Sequence, residues 1–149
     1  MTDDGSEAAR AELLALARQL YARFATGIVV PYKMLDSNHT EGQCHQNAGI
    51  WARDNAGWKV VHGWLVFDFT KQPLLINPFM RFNPHSVVED SNGTQIDPTP
   101  SRASKRYAFL KHDGTPDDFV RIVQGMSLVY IDYHVGKDDI GIAVTHDTP

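Results

Sequence analysis

One cysteine in 149 residues excludes any internal disulfide, and long apolar runs are missing too. No stretch approaches the roughly 20 apolar residues of a membrane-spanning helix, and no basic segment followed by an apolar run opens the chain. Basic charge is scarce. The 14 Lys and Arg residues stand against 18 Asp and Glu, a formal net charge of -4. Without a basic stripe there is nothing to grip a phosphate backbone, so neither nucleic acid nor membrane is expected as a partner. No Cys-x-x-Cys or His-x-x-x-His spacing occurs, and no metal or cofactor is expected. A lone thiol fits a reducing compartment, so the expected location is cytoplasmic. The Asn-x-Thr sequons at Asn38 and Asn92 then carry no glycan.

What is present suits one domain spanning residues 1–149. At 42% hydrophobic and 21% charged, the chain can build a core of its own. Residues 7–25 keep helical spacing through Leu13, Leu16, Leu20 and Phe24, with Ser6 as N-cap. A second, short helix is expected from Cys44, ending by Ala56 and Gly57. Residues 58–69 alternate and are rich in Val, Trp and Phe, the pattern of a strand. Residues 74–76 are a weaker strand candidate, and residues 85–90 and 94–97 flank the Asn92-Gly93 turn. A helix over 117–124 and strands over 127–133 and 140–145 complete the pattern. Helices first and antiparallel strands after imply an α+β fold, with the N-terminal and Cys-bearing helices packed on an antiparallel sheet.

The chemistry centres on the cysteine. Cys44 stands in Gly42-Gln43-Cys44-His45-Gln46-Asn47, a glycine-bearing loop entering a helix. A helix start favours a thiolate, because its free N–H groups and macrodipole stabilise negative charge. Downstream, His85 in a strand and Asp97 in the next strand supply a base and its orienter. The catalytic candidates are therefore Cys44, His85 and Asp97. Gln43 and Asn38 are candidate side-chain donors to an oxyanion beside the Cys44 N–H. Asn47, His62 and Trp64 are further candidates around substrate, with Trp64 and its neighbours as an acyl-pocket wall.

Strand register decides whether this triad can assemble. Residues on one strand face recur at every second position. A two-residue turn at Asn92-Gly93 pairs Ser91 with Thr94 and sends His85 and Asp97 to opposite faces. A three-residue loop, 91–93, with Gly93 left-handed in a bulge, pairs Asp90 with Thr94 instead. His85 and Asp97 then share a face as diagonal neighbours, with Cβ atoms within about 8 Å. The sequence allows both turns.

Cys44 at a helix start, His85-Ser86-Val87-Val88, and Ile96-Asp97-Pro98-Thr99 together resemble the transglutaminase-like branch of the papain-like cysteine hydrolases. The likeness covers residues 42–99 and extends to small bacterial and phage proteins with Cys-His-x-Asn, Gly-Trp and His-Ser-Val patterns. It implies a Cys, His, Asp order, a Cys helix packed on an antiparallel sheet, and thioester chemistry on a peptide, protein or small amide. The chain has His45 where transglutaminases usually carry an aromatic residue.

Each residue also has a plainer role. A buried cysteine often serves as a small hydrophobe, and Asp97 before Pro98 can cap a turn. His62 shares a strand face with Val60 and Trp64; it is either core packing or a substitute base for His85. His112-Asp113 and His146-Asp147 read as surface turns. Two rivals to catalysis stand beside the triad. One is a zinc or iron site built from Cys44, His62 and His85, with His45 and Asp97 also legitimate ligands. The other is a non-catalytic binding module with a papain-like shell.

Overall fold

The computed structural model describes residues 4–71, 77–101 and 106–145. Helix α1 runs Asp4–Ala22 and is followed by a 3-10 turn at Phe24–Thr26. It starts ahead of Ser6, which therefore lies inside the first turn rather than capping it. Strand β1 is Ile28–Val29, helix α2 is Cys44–Asp54, and strands β2 and β3 are Lys59–Asp68 and Phe79–Glu89. Strand β4 (Gln95–Ile96), strand β5 (Ala108–Lys111), helix α3 (Pro116–Gly125), strand β6 (Leu128–His134) and strand β7 (Asp139–Val144) follow. The strands form one antiparallel sheet in the order β1-β5-β2-β3-β6-β7, with β4 paired to β3. The fold is α+β. The strand expected at 74–76 lies outside the described residues.

Helix α3 shows how local chemistry sets a boundary. The Thr115 side chain accepts the Asp118 N–H at 3.1 Å, Pro116 needs no N–H bond in the first turn, and Asp117 and Asp118 favour the positive end. Helices α1 and α3 cover one face of the sheet. Leu13, Leu16 and Leu20 pack there with Phe119, Trp64 and Phe82. Each fully buried side chain of this size contributes about 1.5–3 kcal/mol. The opposite face carries a smaller cluster of Val30, Val61, Val87 and Phe109.

Strand β3 is longer than its sequence suggests, because Pro84 stands inside it. It pairs with β2 along its whole length, but on its other edge it meets only β6 at residues 79–82 and β4 at 88–89. The Asp90 N–H points to β4, bonding Thr94 O at 3.0 Å, so alternation aims the missing N–H of Pro84 at the gap between them. No ladder bond is lost. Helix α2 packs against β3, bringing Cys44 to this strand.

Candidate active site

The 91–93 loop takes the wider form. Asp90 pairs with Thr94, Glu89 with Gln95 and Val88 with Ile96, while Gly93 is left-handed at φ +83. This register puts His85 and Asp97 on one face. His85 Nε2 and Asp97 Oδ2 lie 2.7 Å apart, with side chains 12% and 7% exposed. The short β4 ends at Ile96, and the backbone of Asp97 is held by a different segment. Its N–H bonds Pro31 O at 2.9 Å, and its C=O accepts the Lys33 N–H at 3.1 Å. Arg106 Nη1 donates to Asp97 Oδ2 at 3.2 Å, and the Thr99 N–H donates to Oδ1 at 3.0 Å. The Arg106 guanidinium also lies 4.7 Å over the Tyr32 ring.

Cys44 opens α2. Gly42, at φ +82, turns the chain into the helix, and Gln43 occupies the N-cap without a side-chain cap bond. The first intrahelical bond runs from the Asn47 N–H to Gln43 O, which leaves the Cys44 N–H without a helical acceptor. Burial pushes the Cys44 thiol up, but hydrogen bonding to His45 and His85, together with their charge, outweighs it and brings the thiol down to about 6. Burial likewise pushes His85 down, and hydrogen bonds to Asp97 and Cys44 overcome it and lift the ring to about 9. With Nε2 committed to Asp97, Nδ1 is the ring nitrogen left for the thiol. Between these two values a thiolate–imidazolium pair is the favoured state.

The remaining sequence candidates separate. Asn47 is buried, and its amide is already used: Nδ2 donates to Thr40 O and Thr99 Oγ1, and Oδ1 accepts the Thr40 N–H. It offers no donor to an oxyanion; it ties the cysteine loop to the segment holding Asp97. Gln43 and Asn38 are exposed and do not line the cavity beside Cys44. Trp64 is fully buried in the main core, where Nε1 donates to His112 Nδ1 at 3.3 Å, so it cannot wall an acyl pocket. His62 pairs with Ser86, one position from the Gly63–His85 pair, and so faces the other side of the sheet. There it stacks on Phe119 at 4.6 Å and is not available as a base for Cys44. The same separation breaks the Cys44, His62, His85 ligand set, and among the described residues no cluster of three such groups could hold a metal ion. His112 is buried rather than on a surface turn, with Nε2 at 3.2 Å from Asp118. His146-Asp147 lies outside the described residues.

Three features escape the sequence. Ser86 Oγ bridges His45 Nδ1 at 2.6 Å and His62 Nδ1 at 2.7 Å, linking the neighbour of Cys44 to the far face. Arg106 has no local pattern that marks it as a partner of Asp97. Gly63 lets β5 approach β2: a Cβ there would lie 2.6 Å from the Phe109 ring, which packs edge-on against His85. A cavity of about 550 Å³ opens beside the triad, lined by Cys44, His85, Asp97 and the apolar side chains around Phe109. Comparison with protein-family models, curated proteins and solved structures returns no match. The functional reading therefore stands on this geometry.

Proposed function

We propose that this chain is a cysteine-dependent acyl hydrolase or acyltransferase with a papain-like arrangement of Cys44, His85 and Asp97. The observation that carries the reading is the 2.7 Å contact of His85 Nε2 with Asp97 Oδ2, in a strand face that leaves Nδ1 for a thiol at a helix start. In the mechanism, the Cys44 thiolate attacks an amide carbonyl carbon. The carbonyl π electrons move to oxygen, and the free Cys44 N–H is the first donor available to that oxyanion. Collapse breaks the C–N bond as His85 gives its Nδ1 proton to the leaving amine, and a thioester remains. Neutral His85 then takes a proton from water, or from an amine, as that nucleophile attacks the thioester and releases Cys44. Asp97 keeps the ring oriented and offsets its charge in both halves. A lone thiol with no disulfide partner in the chain is best preserved in reducing surroundings, and on that ground our reading places the chain in the cytoplasm.

Iodoacetamide alkylation of Cys44, followed by mass spectrometry across pH, tests this directly. The expected midpoint lies near 6. A midpoint at the free-thiol value of about 8.5 or above removes the ion pair and leaves a non-catalytic module as the reading.

A further inference from the structure

Among the described residues that line the cavity beside the triad, Arg106 is the one cation whose charge does not depend on pH. Its guanidinium carries N–H donors in a fixed fork, and among the described residues it makes one hydrogen bond, from Nη1 to Asp97 Oδ2 at 3.2 Å. Tyr32 covers its planar face at 4.7 Å, and the side chain is 26% exposed. Donors therefore remain on a cation that is held in place and still open to solvent. Nor does Asp97 cancel its charge. The same Oδ2 meets His85 Nε2 at 2.7 Å, so one carboxylate is divided between two cations. Glu41, the remaining charged residue of the lining outside the triad, has a partner of its own. The cavity, at about 550 Å³, falls within the range of small-ligand sites.

We propose that Arg106 is a specificity-determining residue that takes a free carboxylate of the substrate, so that the reacting amide belongs to an acidic molecule. The proposal rests on the cysteine-hydrolase reading and names the substrate class of that site. Distance sets where the carboxylate lies. Two hydrogen bonds, of 3.2 and 2.7 Å, and one imidazole ring separate Arg106 Nη1 from His85 Nδ1, a span of at most about 8 Å. The reacting carbon sits at Cys44, and a charge-assisted bond of about 2.8 Å closes the far end. A carboxylate about three to five bonds from that carbon fills the gap. The α-carboxylate of a C-terminal residue and the side-chain carboxylate of an acidic residue both fall within this reach. Arginine suits either, because its fork matches a carboxylate in geometry as well as in charge.

Paired alkylating reagents test this without a known substrate. The Cys44 thiolate displaces halide, so a C–S bond forms as the carbon–halogen bond breaks, and mass spectrometry reads the rate. One pair is N-iodoacetylglycine against neutral N-iodoacetylglycinamide. The other is N-acetyl-glutamyl chloromethyl ketone against its γ-methyl ester. With every rate divided by that for free cysteine, the anionic member of at least one pair is expected to react about tenfold faster. A preference in the glycine pair marks a chain-terminal carboxylate, and one in the glutamyl pair marks an acidic side chain. In Arg106→Gln the ratio of anionic to neutral rates should fall to about one, and Arg106→Lys should keep part of it. Taking the ratio within each variant removes any change in the nucleophile itself. No preference in either pair, or a preference that survives in Arg106→Gln, overturns the carboxylate site while an acid-shifted iodoacetamide profile keeps the catalytic reading. An ordinary iodoacetamide profile sinks both.

Discussion

His85 Nε2 lies 2.7 Å from Asp97 Oδ2 across a hairpin whose register alone allows the two side chains to meet. Gly93 holds that register at φ +83, and a Cβ there would touch nothing within 4 Å. Gly93→Ala therefore adds backbone strain without a clash, a loss of about 1 kcal/mol. Thermal unfolding should show the lower midpoint, while Cys44 keeps its acid-shifted alkylation. If alkylation reverts to an ordinary profile, the hairpin has slipped and Asp97 has left the face of His85.

In the proposed acyl-transfer reaction, the thiol and the imidazole set opposite limbs of the pH profile. Below about 6, Cys44 takes up a proton and the nucleophile is lost. Above about 9, His85 gives up its proton and no acid remains for the leaving amine. Amide turnover should therefore form a bell with limbs near these values, read as initial rates across the range that brackets both. The pair titrates as a unit, so the limbs belong to the couple rather than to either residue alone. A rate that keeps rising steadily beyond the upper limb would contradict an imidazolium acid.

How much of this is legible in the sequence depends on whether the information is local. The helix start at Cys44, the alternating β2 and the Thr115-Pro116 helix entry are written in neighbouring residues, and each element forms close to its expected bounds. The hairpin is half legible: both turns are allowed by sequence, and only pairing across the sheet selects the wider one. Pro84 hides the first half of β3, because a proline argues against an interior strand unless its neighbouring edge is known to be open. His62 and Trp64 mislead because alternation reveals that residues share a face but not which face meets the cavity. The bonds from Asp97 to Arg106, Pro31 and Lys33, like the Ser86 bridge, join distant segments and leave no local signal.

Ser86 offers a test of that bridge. Its hydroxyl has one proton to share between His45 Nδ1 and His62 Nδ1, so one ring must donate and the other accept. Burial, and then the charges of His45 and His112, hold His62 down at about 4, so it is neutral at pH 7. Ser86→Ala leaves both ring nitrogens without this partner, at a cost of about 1–3 kcal/mol read by urea unfolding. It also releases His45 from its anchor. The Cys44 alkylation midpoint should then move up from about 6 toward the ordinary thiol value. A stability loss with no shift in the midpoint would confine His45 to packing.

Asp97→Asn separates orientation from charge. The variant keeps an oxygen able to accept the Thr99 N–H, and the backbone bonds to Pro31 and Lys33 do not involve the side chain. The fold should therefore persist, with some loss from the Arg106 ion pair, whose cation is left facing a neutral amide. The effect on His85 is larger. Hydrogen bonding to Asp97 is the strongest influence raising the ring, so the ring should fall from about 9 and the upper limb of the bell should move down with it. Turnover is expected to drop roughly 10- to 1,000-fold, less than the about 10⁴-fold cost of the same change in a serine triad, because a thiolate needs less help to form. With its one oxygen on the Thr99 N–H, the amide turns Nδ2 toward His85 Nε2 and favours the Nδ1–H tautomer, which cannot take the proton of Cys44. His85→Ala should cost at least as much, since it removes both acid and base. Equal turnover in wild type and Asp97→Asn, with the upper limb unmoved, would show that the 2.7 Å contact is structural and that Cys44 works without an orienter.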